Sequence, residues 1–343
     1  MASITGLAKD LVPYPGPVPL RRRPTPARRP SETRIAPAVS PADPGLSELA
    51  QIEVDFEAGN NTLWAFMRPH GRPCQNPEML ADFSRLQDDI ERVFGNGGPD
   101  LNYFVFGSRF PGVFSLGGDL NLFASKIRAG DEAALVGYGN ACVDVLHRNM
   151  NALNLPIITI GLVQGDALGG GFEGLLSFDV IIAEKGTKFG FPEILFGLFP
   201  GMGAYSFLAR RLGTIKAQEM ILDGRTYTAE EMHELGIVHI LAERGQGEAA
   251  VRAYIAGNRR RRNGQQAIYQ AAREVDRISL DELRKIVAVW AAAAMNLTDR
   301  DLSIMERLVL AQDKLRGKAQ AAQAAQAAQA RTVPARALSA SAR

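Results

Sequence analysis

The sequence predicts an α/β protein with mainly parallel strands and a helical region at its C-terminal end. Two patterns support this fold class. Apolar runs rich in β-branched residues, such as residues 157–163, are followed by a glycine turn and then by a helical pattern, as expected of strand–turn–helix units. From residue 247 to about residue 315, apolar residues recur instead every three or four positions, which predicts helices.

Composition divides the chain into four predicted segments. Residues 1–46 contain ten of the nineteen prolines and the run Arg21 to Arg23, a composition typical of a disordered tail. Residues 47–246 form the predicted α/β core, and residues 247–317 form the helical region. In residues 318–343, alanine and glutamine repeat without an apolar stripe, which is typical of a low-complexity tail.

The elements of the core are predicted in order from local signals. Alternating and buried apolar runs predict strands at residues 51–57, 62–67, 102–106, 157–163 and 180–183. Helical spacing and capping residues predict helices from Asn76, from near Leu120, and over residues 131–153, 204–212 and 215–222. Thr228 with Glu231 has the spacing of a capping box, which predicts a further helix start.

Charge and composition argue against several function classes. The formal net charge of +2 for 343 residues favours no nucleic-acid partner. The two cysteines, Cys74 and Cys142, and the four histidines have no metal-binding spacing, so we expect no metal and a reduced cytoplasmic setting. No apolar run approaches the roughly 18 residues of a membrane span, and no secretory signal is expected.

Two glycine turns predict a site for a negative oxygen. Three glycines, residues 169–171, follow the strand at residues 157–163 and open a helix, where backbone N–H groups lack partners within the helix. A second glycine turn follows the strand at residues 102–106. Two such turns bring two N–H donors around one point, and the candidates are Gly170 and Leu116 (or Gly117).

Two glutamates in apolar surroundings are the candidate acid and base. Glu173 is flanked by phenylalanine and leucines, and Glu193 lies between a Phe-Pro pair and an Ile-Leu-Phe run. Apolar surroundings raise the pKa of a carboxyl towards neutral pH. Two such carboxyls beside an oxyanion site can divide the acid and base tasks of one reaction.

These residues resemble the motifs of the crotonase (enoyl-CoA hydratase/isomerase) superfamily. The resemblance covers roughly residues 51–312 and rests on four motifs at residues 115–119, 164–173, 190–193 and 199–203. It implies a spiral of ββα units with a C-terminal helical region. It also implies that Glu173 and Glu193 are the catalytic pair, and that the N–H groups of Leu116 and Gly170 form an oxyanion hole.

A closer resemblance is to bacterial synthases of diffusible signal factor (DSF), through residues 195–207, 244–247 and 289–309. It implies dehydration of a 3-hydroxyacyl thioester of acyl carrier protein (ACP), then thioester hydrolysis to a cis-2-unsaturated fatty acid used in quorum sensing. It further implies an acyl pocket lined by Leu168, Trp290 and Leu308, no cofactor beyond the ACP or CoA thioester substrate, and a homotrimer.

Two other interpretations stay open from the sequence. One is an ordinary enoyl-CoA hydratase/isomerase of fatty acid metabolism. The other is a crotonase-like binding or regulatory protein, for instance one that docks the receiver domain of a sensor kinase. The basic run Arg259 to Arg262 is a candidate contact for a carrier protein or a CoA phosphate, although such runs are more often solvated helix ends.

Overall fold

A six-stranded sheet lies at the centre of the protein, and a smaller four-stranded sheet packs beside it. The computed structural model describes residues 45–95 and 97–332, with side chains as far as residue 317. Its strands are β1 (Ile52–Glu57), β2 (Thr62–Met67), β3 (Tyr103–Ser108), β4 (Val113–Ser115), β5 (Ile158–Val163), β6 (Asp166–Leu168), β7 (Val180–Glu184), β8 (Lys188–Gly190), β9 (Thr226–Thr228) and β10 (Ile240–Ala242).

The large sheet has the strand order β1-β2-β3-β5-β7-β10. β1 and β2, both predicted as strands, form an antiparallel hairpin, and the other neighbours pair in parallel. Both faces of this sheet are buried: Phe104 and Phe106 of β3 face the main core, whereas Tyr103 and Val105 face a second apolar cluster. Burial on both faces explains why the central strands are continuous apolar runs rather than alternating ones.

The small sheet, in the order β4-β6-β8-β9, was not predicted as a sheet from the sequence. Its strands are only three residues long, too short to show a period of two. β4, β6 and β8 are parallel, and they continue the chain beyond the carboxyl ends of β3, β5 and β7. This sheet therefore aligns the segments that follow the long strands.

Helices surround both sheets and make up the whole C-terminal part of the described chain. They are α1 (Pro77–Phe94), α2 (Leu120–Arg128), α3 (Glu132–Met150), α4 (Gly170–Leu175), α5 (Ala204–Leu212), α6 (Thr214–Leu222), α7 (Ala229–Glu234), α8 (Gly247–Asn258), α9 (Arg262–Val275), α10 (Leu280–Ala294) and α11 (Asp299–Thr332), with 3₁₀ turns at Ala152–Asn154 and Pro192–Phe196. In the part of the chain that the structure describes, no helix is long and apolar enough to cross a bilayer.

The helix starts confirm the predictions made from capping residues. The Asn76 side chain accepts from the Met79 N–H and caps α1, which has proline in its first turn. Asp119 caps α2 in the same way. Thr228 and Glu231 form the complete capping box of α7. Local hydrogen bonding within four residues accounts for each of these starts.

The predicted α/β class with a helical C-terminal region is confirmed; the predicted segment boundaries stay predictions. α11 is a single helix that continues across residues 317 and 318 into the Ala/Gln repeat. Alanine has the highest helix propensity, so the repeat extends a helix that packing begins. Residues 1–44 and 333–343 lie outside the described residues, and so does nearly all of the predicted Pro/Arg-rich tail.

A buried ion pair fastens α9 to the sheet. The Asp179 carboxylate accepts from Arg273 and from the N–H and hydroxyl of Thr159 on β5, at 2.5–3.1 Å. Removing one partner of a buried pair leaves the other charge uncompensated. We therefore expect Asp179→Ala to lower the free energy of unfolding by about 3–5 kcal/mol, as measured by urea titration.

The matched control for this change is Asp281→Ala. Asp281 pairs with Lys285 on the surface of α10, where both side chains are about three-quarters exposed. We expect a change within about 0.5 kcal/mol for this variant. An equal decrease in the free energy of unfolding in the two variants would contradict a stabilising role for the Asp179–Arg273 pair.

Candidate active site

The site lies where the large sheet passes into the small one. β5 leads through β6 to a turn at Gly169, and α4 starts at the next residue. Gly169 has a φ of 53°, and a Cβ at this position would overlap the Glu193 carboxyl. A side chain at this position is excluded for two reasons: the backbone conformation disfavours it, and the Glu193 carboxyl occupies the space that it would fill. This explains one glycine of the three that the sequence analysis singled out.

Glu173 lies in the first turn of α4 and is fully buried. One carboxyl oxygen, Oε1, accepts from the N–H groups of Met202 and Ala204 at 2.8 and 3.0 Å. The other oxygen, Oε2, is buried without a hydrogen-bond partner among the described residues. Burial raises the pKa of Glu173 to about 7, although the two N–H donors oppose this rise.

Glu193 lies in the 3₁₀ turn that follows β8, with its Oε1 packed against Gly169. Its Oε2 is also buried without a partner in the described part of the chain. Burial, and next the charge of Glu173, raise the pKa of Glu193 to about 8. Because the Glu173 carboxylate accepts two N–H bonds, the pair favours an ionised Glu173 and a protonated Glu193 when it carries one proton.

The upstream N–H donor differs from the one predicted. The Leu116 N–H donates to the Pro73 carbonyl at 2.8 Å, and the Gly117 N–H donates to the Ser115 hydroxyl at 3.2 Å. The Leu116 N–H is occupied because residues 116–118 pair with residues 73–75, whereas the Gly117 N–H is occupied by the nearby serine hydroxyl. The prediction of Leu116 (or Gly117) as a free donor was therefore wrong: pairing with a distant segment engages the first N–H, and a local hydrogen bond engages the second.

Gly118 and Gly170 supply the free N–H groups instead. Neither N–H donates to another group within the described residues. The two lie close together, since a Cβ built on Gly170 would be 3.5 Å from the Gly118 nitrogen. A Cβ on Gly117 would be 2.7 Å from the Gly170 nitrogen and would obstruct the space around it. The downstream half of the predicted oxyanion site, Gly170, keeps its position.

These groups open into a cavity of about 210 Å³. Its wall includes both glutamates and the two free N–H residues, as well as the three residues predicted for the acyl pocket. Trp290 of α10 is buried with its ring against Gly201, Leu168 ends β6, and Leu308 belongs to α11. The structure thus brings together Leu168, Gly170, Glu173, Glu193, Trp290 and Leu308 from separate parts of the chain.

Other lining residues were missed by the sequence analysis. They include Gln75, Tyr138 and Cys142, which come from the loop before α1 and from α3, and Gln312 of α11. Tyr138 donates to the Gln75 carbonyl at 2.6 Å and so holds this loop against the site. No spacing or motif in the sequence indicates these positions, because only packing between distant helices brings them to the cavity.

The basic run at Arg259 to Arg262 lies away from the cavity. Arg262 donates to the carbonyl of Pro156, two residues before β5 begins, at 3.4 Å. The glutamates follow the opposite, carboxyl ends of the strands. A strand rises about 3.3 Å per residue, so the six residues of β5 place the run roughly 15–20 Å or more from the site. The run is therefore too distant to contact a reacting thioester, and its contact with a carrier protein or a CoA phosphate stays a prediction.

The chemistry of the cavity is acid–base chemistry beside an oxyanion site. Two carboxyls with pKa values raised towards neutral pH exchange protons readily near pH 7. Two free N–H groups stabilise an oxygen that gains negative charge during a reaction. Within the described residues, no group of three His, Cys, Asp or Glu side chains has the arrangement of a metal site.

Comparison with protein families gives a match over more than half of the chain. The sequence model of the enoyl-CoA hydratase/isomerase family matches residues 78–275. The rat mitochondrial methylglutaconyl-CoA hydratase is 28% identical over 206 residues, 60% of this chain and 62% of that protein. The Escherichia coli 2,3-dehydroadipyl-CoA hydratase is 33% identical over 176 residues, 51% of this chain and 63% of that protein. The matches therefore span less than two thirds of these relatives.

Solved structures show the same fold. An enoyl-CoA hydratase from Bacillus halodurans superimposes with a TM-score of 0.61, at 20% identity, over 75% of this chain and all of that one. DspI from Pseudomonas aeruginosa superimposes with a TM-score of 0.55, at 24% identity, over 67% of this chain and 84% of that one. The predicted crotonase-like fold is thereby confirmed.

Burial of Glu193 has a consequence for stability that depends on pH. The folded protein holds the Glu193 proton up to about pH 8, whereas the unfolded chain releases it near 4.5. The folded state binds more protons between these values, so stability falls as pH rises through this window. We expect Glu193→Gln, which does not titrate, to raise the Tm relative to the unchanged protein, and to raise it more at about pH 9 than at about pH 5.

Differential scanning calorimetry at the two pH values measures this difference. The control is Glu274→Gln, since Glu274 lies exposed on α9. Its Tm difference from the unchanged protein should be the same at both pH values. A Glu193→Gln difference that stays constant with pH would contradict the raised pKa.

Proposed function

The chain belongs to the enoyl-CoA hydratase/isomerase family, and on that premise we propose that it makes a cis-2-unsaturated fatty acid signal, as DSF synthases do. The substrate is a 3-hydroxyacyl thioester, and ACP is the proposed carrier. The protein eliminates water from the acyl chain and then hydrolyses the thioester. Glu173 and Glu193 are the catalytic residues of this proposal, and the N–H groups of Gly118 and Gly170 form the oxyanion hole.

One observation carries the proposal: Glu173 and Glu193, each with a buried carboxyl oxygen that lacks a partner among the described residues, line one apolar cavity together with the free N–H groups of Gly118 and Gly170. Removal of a proton next to a thioester develops negative charge on the thioester oxygen. Elimination of a hydroxyl also requires a proton donor. In the cavity, the two N–H groups can stabilise the negative charge, and the protonated carboxyl can donate the proton.

The elimination follows from the charges of the site. The carbonyl oxygen of the thioester accepts from Gly118 and Gly170, which stabilise the enolate formed when C2 loses its proton. The ionised member of the glutamate pair takes that proton. The protonated member gives its own proton to the 3-hydroxyl, and the C3–O bond breaks to release water. The elimination therefore leaves the pair with one proton: the original proton departs in the water, and the proton taken from C2 stays on the other glutamate.

Hydrolysis uses the same groups a second time. A carboxylate takes a proton from water as the water oxygen bonds to the carbonyl carbon. The resulting oxyanion lies at the same two N–H groups. The C–S bond then breaks, the carrier thiol leaves with a proton, and the free acid remains. A bent acyl chain in the cavity during elimination accounts for the cis geometry in this proposal.

The charge of the cavity limits the acyl chain. Among its lining residues in the described chain there is no lysine, arginine or histidine. A carboxylate at the end of an acyl chain would be buried there without a cation, at a cost of several kcal/mol. Names of the relatives, such as 2,3-dehydroadipyl-CoA hydratase, indicate chains that end in a carboxylate. The lining of this cavity favours an alkyl chain instead, packed against Leu168, Trp290 and Leu308.

Location and assembly remain parts of the proposal. We place the protein in the cytoplasm, where ACP thioesters are found, and expect a homotrimer. A sensor-kinase receiver domain remains a candidate partner of a synthase that also regulates. An ordinary enoyl-CoA hydratase is the alternative outcome of the tests below.

The first test replaces each catalytic carboxyl by an amide. Glu173→Gln and Glu193→Gln retain size but exchange no proton, so each should lower the rate of free fatty acid release by at least about a hundredfold. Mass spectrometry of acids released from a 3-hydroxyacyl-ACP measures this rate. The control is Glu219→Gln, because Glu219 lies on the surface of α6 in a pair with Lys216. Full activity in either catalytic variant would refute the assignment.

The second test uses the pH profile. Elimination needs one proton on the glutamate pair, so kcat/KM should be bell-shaped in pH with limbs near about 7 and about 8. Below the lower limb both carboxyls are protonated and no base remains. Above the upper limb both are ionised and no acid remains. A profile that is flat from about pH 6 to about pH 9 would refute acid–base catalysis by this pair.

Offering two substrates side by side separates the two enzymatic interpretations. A 3-hydroxyacyl-ACP should yield free unsaturated acid, whereas crotonyl-CoA should be hydrated slowly if at all. Rapid hydration of crotonyl-CoA without release of acid would identify an ordinary enoyl-CoA hydratase.

A further inference from the structure

One polar group in the cavity has no part in the reaction described above. Within the described chain, three buried oxygens that belong to cavity-lining residues lack a hydrogen-bond partner: Oε2 of Glu173, Oε2 of Glu193 and Oε1 of Gln312. The first two belong to the catalytic carboxyls. The third is a neutral amide oxygen on α11, and its residue is only 7% exposed. A buried acceptor that stays unpaired costs free energy, so such groups are usually satisfied by a partner or a ligand.

Gln312 lies between the mouth and the interior of the cavity. Leu315, three residues further along α11, also lines the cavity but is 43% exposed, and Ala311 is exposed as well. Leu308, four residues earlier, belongs to the acyl pocket. Residues at these spacings share one face of a helix. A thioester that enters past Leu315 and places its alkyl chain at Leu308 therefore passes Gln312.

Ion pairs of the next residue, Asp313, connect the helix that carries Gln312 to the segment that contains Gly118. Asp313 pairs with Arg72 at 3.5 Å, and the same guanidinium pairs with Asp119 at 3.1 Å. Asp119 directly follows Gly118, which supplies one of the two free N–H groups. A second pair, Arg128 with Glu306 at 2.6 Å, fastens α11 to α2. These pairs join α11, which carries Gln312, to α2 and to the residue that follows Gly118.

We propose that Gln312 determines substrate specificity by accepting a hydrogen bond from a donor group of the bound acyl thioester. An oxygen acceptor requires an N–H or O–H group on the ligand. Two parts of the substrate carry one: the amides of the pantetheine arm shared by ACP and CoA, and a hydroxyl on the acyl chain. A plain alkyl thioester leaves Gln312 Oε1 unpaired. The inference rests on the proposed function, because it takes an acyl thioester as the ligand.

Calorimetric binding of three ligands tests this inference. Decanoyl-pantetheine carries arm donors but no acyl hydroxyl, the ethyl thioester of 3-hydroxydecanoic acid carries the hydroxyl but no arm, and the ethyl thioester of decanoic acid carries neither. All proteins carry Glu173→Gln so that no thioester is consumed. Gln312→Leu removes the acceptor and retains an apolar side chain, and Leu310→Ala, at an exposed residue of α11, is the control.

We expect Gln312→Leu to weaken the binding of the first or the second ligand about tenfold, and to leave the affinity for the third ligand unchanged. The weakened ligand identifies the donor as the pantetheine arm or the acyl hydroxyl. Unchanged affinities for all three ligands, or equal losses for all three, would overturn the inference and leave the proposed function standing. If the parent protein binds none of the ligands, the proposed function fails and the inference fails with it.

Discussion

The site depends on two carboxyl groups that line one apolar cavity, Glu173 fully buried and Glu193 with its Oε2 buried. Two ionised carboxylates in such a place repel each other strongly, so the pair keeps a proton near neutral pH. The fold stabilises the pair by giving the two carboxyls different hydrogen-bond partners. Glu173 receives two backbone N–H bonds from Met202 and Ala204, whereas Glu193 receives none from a distant segment and packs against Gly169. The surroundings thus favour the ionised form of Glu173 and the protonated form of Glu193.

Close approach of backbone segments is the second constraint. Gly171 lies against the Ser115 carbonyl, and Gly117 lies against the Gly170 nitrogen, so a Cβ at either position would collide with backbone. These contacts join the segments after β4 and β6 at the edge of the small sheet. The free N–H groups of Gly118 and Gly170 are close together because of them. The absence of side chains at these glycines therefore allows the two free N–H groups to lie close together.

The helical C-terminal region completes the site rather than standing apart from it. α10 packs against α3 so closely that Val287 meets Gly139, and this contact carries Trp290 to the cavity. α11 supplies Leu308 and Gln312 to the same cavity. The two glutamates come from the α/β core, while much of the remaining apolar wall comes from the helices. Variation in these helices can thus change the substrate without changing the chemistry.

The sequence by itself determined the long strands, several helix starts and the candidate glutamates of the cavity. Continuous apolar runs, caps such as Asn76 and Thr228, and glycine turns depend on neighbours in the chain, so they can be read locally. Glu173, Glu193 and Gly170 were found in this way, because each lies beside its own signal. Only the tertiary structure replaced Leu116 (or Gly117) by Gly118 as the candidate donor, since the occupied N–H of Leu116 results from pairing with Pro73. It also decided the three-residue strands of the small sheet and the approach of Gln75 and Gln312 to the cavity. Those features arise from contacts between residues far apart in the chain, and no local pattern records them.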